Sequence, residues 1–311
     1  MMPSSATTKF AAGFFLCLLA AAPLRANEPE NRILKVGAAE RQYILSAPGP
    51  GGGPRPTILI LHGGGMSANH SLRTSGFEPL IAREKFVAVY PNALRREWND
   101  GREARMKERG YADDVAYMRA LVNELVASGI ADPKRIYVTG ASNGGMMSLR
   151  LICESADLFA AAAPIIAHIP VDIAAGCTPS RAVPVLLING TADPLVPYRG
   201  GGVGFAGRRG DVISTDDTVA RLRRFNGCND SAKTERLPDL APDDGSTVTV
   251  TRWLDCSSRA PVVLYRVNGG GHRIPSRNGS PKPVIDRLLG TENHDFDAPE
   301  AIWAFFRDKK L

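Results

Sequence analysis

Along this 311-residue chain a serine, an aspartate and a histidine occur in the settings that acyl-transfer chemistry needs. Residues Gly140 to Gly144 read G-A-S-N-G, closing the strand-like run Arg135 to Thr139 and opening the helical run Gly145 to Cys153. A strand that turns sharply into a helix lifts its apical residue above a sheet, so Ser142 is the candidate nucleophile. A serine hydroxyl attacks poorly at neutral pH unless a histidine takes its proton and a carboxylate orients that histidine. Asp193 lies in the turn segment Asn189-Gly190-Thr191-Ala192-Asp193-Pro194, just after the apolar run Val185 to Ile188. His272 ends Asn268-Gly269-Gly270-Gly271-His272, just after the alternating run Val262 to Val267, and three glycines let such a turn approach the serine closely.

The oxyanion formed by this attack needs hydrogen-bond donors. Thr57 to Leu61 (T-I-L-I-L) reads as a buried strand running into His62-Gly63-Gly64-Gly65. The Gly64 N–H is expected to meet the oxyanion beside the N–H of Asn143, the residue after the nucleophile. His62 reads as a hydrogen-bonded structural residue and His168 as a packed or partly exposed one, with a place in the cleft lining as its alternative, while His70 and His294 carry no motif. Trp98 and Tyr198 are placed near the cleft mouth, on loops that follow strands, with covering of the core as the alternative for either. Asp113 and Asp114 suit the capping of a helix better than paired catalysis, because adjacent residues at a helix start point in different directions.

The elements that must hold these residues alternate between strand-like and helical runs, which predicts a mostly parallel sheet covered by helices on both faces. Strands are expected at Arg41 to Ser46, Thr57 to Leu61, Phe86 to Tyr90, Arg135 to Thr139, Ala160 to Ile166, Val185 to Ile188 and Val262 to Val267, with a further short one at Thr247 to Trp253. Helices are expected at Val115 to Ala127, Asp217 to Phe225 and Ala298 to Arg307, the first and last with an apolar stripe that reads as core. The densest charged run, Arg95 to Arg109, mixes acids and bases and reads as a solvated loop. Neither glycine-rich loop, Ala47 to Pro56 or Arg199 to Gly210, has the context of a phosphate cradle, and no internal repeat is present.

Residues 1–26 form a separate unit: a polar start with Lys9, 13 apolar residues from Phe10 to Ala22, and Pro23-Leu24-Arg25-Ala26. This predicts a signal peptide cut after Ala26, since the apolar stretch is too short to span a bilayer. A secreted or periplasmic protein, with no membrane attachment after cleavage, is expected. Cleavage removes Lys9 and Arg25, leaving 36 basic and 32 acidic residues, a mild excess without the basic and aromatic stripe of a nucleic-acid binder. Four cysteines remain, Cys153, Cys177, Cys228 and Cys256, and an even number in an exported chain implies disulfides with three pairings open. Pairing between sequence neighbours, Cys153 with Cys177 and Cys228 with Cys256, is favoured. No two of the four have metal-ligand spacing, and neither a metal nor a cofactor is expected.

Taken together, L-H-G-G-G at 61–65, W-N-D at 98–100, D-D-V at 113–115 and T-G-A-S-N-G-G-M-M at 139–147 resemble one family. The likeness continues through N-G-T-A-D-P-L-V-P-Y at 189–198, N-G-C at 226–228, G-G-G-H at 269–272 and F-D-A-P-E-A-I-W-A-F-F at 296–306. The chain is similar to the secreted poly(3-hydroxybutyrate) depolymerase and feruloyl esterase-like α/β-hydrolases. That resemblance implies a single α/β-hydrolase domain over 27–311, with Ser142, Asp193 and His272 as its triad and the same neighbour disulfides. It further implies hydrolysis of a small or oligomeric carboxylic ester through an acyl-enzyme. The chain departs from the family after the histidine, where Arg273-Ile274-Pro275-Ser276 stands in place of a Trp-Pro-Gly step, so an aromatic acyl platform is not expected. Transfer of the acyl group to an alcohol other than water, and a catalytically silent binding module, are the rival readings.

Overall fold

The structure, a computed structural model, describes residues 28–49, 51–109, 112–279 and 283–311, together with Met1. The expected leader, residues 1–26, lies outside the described residues apart from Met1. In chain order the strands are β1 (Glu30–Val36), β2 (Ala39–Ser46), β3 (Arg55–Leu61), β4 (Val87–Pro91), β5 (Ala131–Ala141) and β6 (Ala161–Ile165). They continue with β7 (Val185–Gly190), the short pair β8 (Gly201–Gly202) and β9 (Asp211–Val212), then β10 (Lys233–Arg236), β11 (Thr247–Trp253) and β12 (Val262–Asn268). The helices are α1 (Ala68–Thr74), α2 (Glu78–Glu84), α3 (Glu103–Arg109), α4 (Asp114–Ala127), α5 (Asn143–Ser155), α6 (Val171–Ala174), α7 (Thr215–Asn226), α8 (Pro283–Leu289) and α9 (Ala298–Phe306).

Ten strands make one sheet in the order β1-β2-β4-β3-β5-β6-β7-β12-β11-β10. The six from β4 to β12 in that order run parallel, while β1, β2 and β4 at one side and β12, β11 and β10 at the other pair antiparallel. Parallel strands send their carboxyl ends to a common edge, where the loops of an open α/β sheet build a site. His62, Ser142, Ile166, Asp193 and His272 all follow such ends.

The core lies on both faces of the sheet. Its central strands are buried throughout, at every residue from Val87 to Pro91 and from Ala161 to Ile165, as parallel strands covered on both faces require. Helix α5 is buried continuously from Asn143 to Leu149, so the helix after the nucleophile is a central packing element. Each of its large apolar side chains, Met146, Met147 and Leu149, stabilises the fold by roughly 1.5–3 kcal/mol through removal from water. On the opposite face α9 buries Ile302, Trp303 and Phe306, and the Phe306 ring stacks on Tyr137 at 4.7 Å.

Two disulfides close the structure, Cys153–Cys177 at the end of α5 and Cys228–Cys256 beyond the end of α7. The run 95–109 differs from its expectation: instead of a solvated loop it contains α3 and two buried ion pairs, Glu97–Arg105 and Asp100–Arg102. Asp113 caps α4 by accepting the Ala116 N–H. Asp114 turns inward instead, to Arg41 at 2.6 Å and the Asn99 N–H at 2.7 Å. Among the described residues, no helix is long and apolar enough to cross a membrane.

Candidate active site

Where β5 passes into α5, Ser142 adopts φ 57° and ψ −120°, a conformation that side chains other than glycine's rarely take. The turn survives because its backbone is fixed on both sides. Ser142 N–H donates to the Ile165 carbonyl at 3.0 Å, and its own carbonyl accepts from Met146 N–H at 2.8 Å. The hydroxyl caps nothing, although Ser142 occupies the N-cap position. Closeness explains the flanking glycines: a Cβ at Gly140 would stand 2.6 Å from Gly144 C, and one at Gly144 only 2.4 Å from Leu61 O.

Asp193 and His272 meet directly, the Oδ2 of the acid lying 2.7 Å from Nδ1 of the ring. The other oxygen, Oδ1, accepts the N–H groups of Leu195 and Val196, both at 2.8 Å. Two backbone donors thus aim the carboxylate at the imidazole, and its side chain is only 2% exposed. With Nδ1 engaged, Nε2 is the nitrogen left for a nucleophile. His272 and Ser142 line one cleft.

The loop after β3 is organised by His62. Its Nε2 accepts the Ala93 N–H at 3.1 Å, so Nδ1 carries the ring proton and donates to Gly63 O at 2.8 Å. Burial pushes the His62 pKa down to about 4, which keeps this tautomer neutral. The Gly63 carbonyl also accepts Met66 N–H at 3.1 Å, and a planar trans peptide then fixes the Gly64 N–H on the opposite side. Among the described residues no acceptor meets the Gly64 N–H, whereas Gly65 N–H is spent on Arg96 O at 2.8 Å. Behind Gly64 packs the Glu97 carboxylate, held by Arg105 at 3.0 and 3.1 Å. That pairing matters because a bare anion there would oppose the charge developing on a substrate oxygen.

Trp98 is not at the cleft mouth. It is fully buried, its Nε1–H donates to His62 O at 2.9 Å and its ring lies 4.9 Å from the His62 ring, so it supports the glycine loop from beneath. The Asn143 side chain is tied to the same segment, accepting Trp98 N–H at 2.8 Å and donating to Trp98 O at 3.0 Å and Asp100 Oδ2 at 2.7 Å. Tyr198 is likewise displaced from its expected place. Only 9% exposed, it packs edge-on against His168, with Arg266 over its ring. His168 is packed, bonded through Nε2 to Thr215 Oγ1 at 2.7 Å, and burial lowers its pKa to about 4.

The cleft around Ser142 and His272 has a volume of about 390 Å³. Residues without a motif complete its walls: Met66 and His70 near the glycine loop, Phe77 before α2, Ile166 after β6, and Ile285 and Leu289 from α8. Only their place beside the strand ends could have drawn attention to them. Arg273 stands beside the histidine in this wall and is bound to both Asp286 and Glu292. Among the described residues, no cluster of three or more histidine, cysteine or carboxylate side chains could hold a metal.

The prolyl oligopeptidase family matches residues 92–171, a stretch that holds Ser142 and stops before Asp193 and His272. The putative esterase NocK of Nocardia uniformis subsp. tsuyamanensis is 33% identical over 280 residues, covering 86% of this chain and 81% of that protein. A probable feruloyl esterase C of Aspergillus terreus is 29% identical over 276 residues, or 86% of this chain and 83% of its own length. Among solved structures, the acetyl xylan esterase from Aspergillus awamori aligns over 77% of this chain and 93% of its own with a TM-score of 0.54. At 13% identity that likeness is one of fold.

Proposed function

Because the chain belongs to an esterase family of the α/β-hydrolase type and is a carboxylic ester hydrolase, we propose that Ser142, His272 and Asp193 carry out its chemistry through an acyl-enzyme. The observation that carries this reading is the 2.7 Å contact of Asp193 with His272 Nδ1, on the rim of the cleft that also holds the strained Ser142. The Ser142 oxygen attacks the ester carbonyl while Nε2 of His272 takes its proton. The N–H groups of Gly64 and Asn143 hold the oxyanion, and Asp193 stabilises the imidazolium. When the tetrahedral intermediate collapses, the imidazolium gives its proton to the departing alcohol. Water then attacks the acyl-serine by the same route, releasing the acid and restoring the serine.

The substrate class that fits the cleft is a small or oligomeric ester of an uncharged acyl group, such as a hydroxyalkanoate oligomer or an acylated sugar. Relatives named feruloyl esterase and acetylxylan esterase support the second of these. Two disulfides suit an oxidising compartment, which supports an exported protein.

The test is Ser142→Ala assayed with a short p-nitrophenyl ester and with a fluorophosphonate probe. Turnover is expected to fall at least about a thousandfold and labelling to vanish while the circular dichroism spectrum is unchanged. Retained turnover would refute the assignment of the nucleophile.

A further inference from the structure

Ile166, the residue after β6, has φ 45°. A β-branched side chain is strongly disfavoured in this left-handed region, and glycine would adopt it at no steric cost. The surroundings nevertheless hold the backbone there. Ile166 N–H donates to Ile188 O at 2.7 Å, the preceding carbonyl of Ile165 accepts Ser142 N–H at 3.0 Å, and Ala167 N–H donates to Asn189 Oδ1 at 3.0 Å. Strain kept in place by the ends of the two neighbouring strands, β5 and β7, at a residue in the wall of the cleft that contains Ser142, is strain spent on a side-chain position.

On the His272 side the wall carries Arg273 and Glu292, paired with each other, together with the apolar Ile274 and Leu289. The imidazole must hand its proton to the leaving alcohol, so that side takes the alcohol. Ile166 lines the same cleft together with Ile60, Leu61 and Ile165. Its chain is hydrogen-bonded through Ile165 to the nucleophile itself, where the acyl carbon stays attached after the alcohol has gone.

We propose that Ile166 is a specificity-determining residue: its strained backbone holds a branched side chain against the acyl group on Ser142 and thereby limits the length and branching of the acid. This rests on the catalytic reading given above. The device costs the backbone what a glycine would not, and in return narrows the pocket at the reacting carbon.

The experiment measures kcat/KM for p-nitrophenyl acetate, butyrate and octanoate, which share one leaving group, in the wild type and in Ile166→Val, Ile166→Ala and Ile166→Gly, together with melting temperatures. The octanoate-to-acetate ratio is expected to rise stepwise as the side chain shrinks, by about tenfold or more at glycine, in line with the weight of a few methylenes in an apolar pocket. Ile166→Gly is expected to melt no lower than Ile166→Ala, the reverse of their usual order, because only glycine relieves the strained φ. An octanoate-to-acetate ratio that stays flat across all three variants, with turnover still dependent on Ser142, overturns the role of Ile166. Turnover that survives Ser142→Ala overturns the catalytic reading instead.

Discussion

Asn143 grips the main chain of Trp98 from both sides, its Oδ1 accepting the Trp98 N–H at 2.8 Å and its Nδ2 donating to the Trp98 carbonyl at 3.0 Å. Trp98 in turn holds the His62 carbonyl, so one amide links the residue after the nucleophile to the glycine loop across the site. The two N–H groups proposed for the oxyanion therefore sit on a single hydrogen-bonded frame. Its members are buried, and a buried group that loses its partner pays its full desolvation cost.

Asn143→Ala keeps the backbone N–H of residue 143 but strands both Trp98 groups and one contact of Asp100. We expect a stability loss of roughly 2–4 kcal/mol and a fall in kcat of about 10–100-fold from a misplaced oxyanion loop. Urea unfolding and ester hydrolysis measure the two effects. If stability drops while kcat holds, the frame supports only the fold.

A second expectation concerns the nucleophile as a source of strain. Ser142 is held at φ 57° and ψ −120° by bonds to Ile165 and Met146, a geometry that costs about 1–3 kcal/mol for a residue with a Cβ. Ser142→Gly should thus be inactive yet more stable than the wild type, by about 1 kcal/mol or a melting shift of about 2–4 °C. Ser142→Ala should show no such gain. Equal melting points for the two variants would mean that the turn stores no strain.

Ser142, Asp193 and His272 were legible because each follows a strand whose apolar run is visible locally, and because turn residues mark where each strand stops. The interior of the 95–109 segment was not legible. Charges that alternate in sequence look solvated, and only the fold places Arg105 beside Glu97 and turns Asp100 beneath Asn143. Trp98 shows the same difficulty, since an aromatic in a loop can face a cleft or a core with identical local sequence. Strand β1 carries little apolar signal because none of its residues is fully buried, and β10 carries none because all four of its residues are exposed. The backbone of Ile166 leaves no mark in residue type at all; isoleucine argues against the conformation it adopts.

The dyad gives a third prediction. In Asp193→Asn the Oδ1 atom can still accept the N–H groups of Leu195 and Val196, so the turn should persist. The amide nitrogen would then face Nδ1 of His272 and favour the tautomer with its proton on Nε2, which cannot receive one from serine. We expect kcat to fall by about 10⁴ with unchanged melting behaviour. A loss below about tenfold would show that the 2.7 Å contact does not govern the base.

The fourth prediction follows from His62, whose pKa burial lowers to about 4 from an ordinary value near 6.5. Between those two values the unfolded chain binds a proton that the folded chain refuses, so stability contributed by the neutral ring is present above about pH 6.5 and is lost as pH falls toward about 4. The loss should approach about 3 kcal/mol, because each tenfold change in proton affinity is worth about 1.4 kcal/mol. Other groups titrate in the same range, and a variant isolates this one. His62→Asn can still donate to Gly63 O but leaves the Ala93 N–H unmet, so it should be less stable than the wild type at about pH 7.5. Having no proton to gain, it should lose less on acidification, and the two unfolding free energies should converge by about pH 4.5. Curves that stay parallel over that whole range would mean that the ring accepts its proton without leaving the loop, and that its neutral tautomer is not what holds the Gly63 carbonyl.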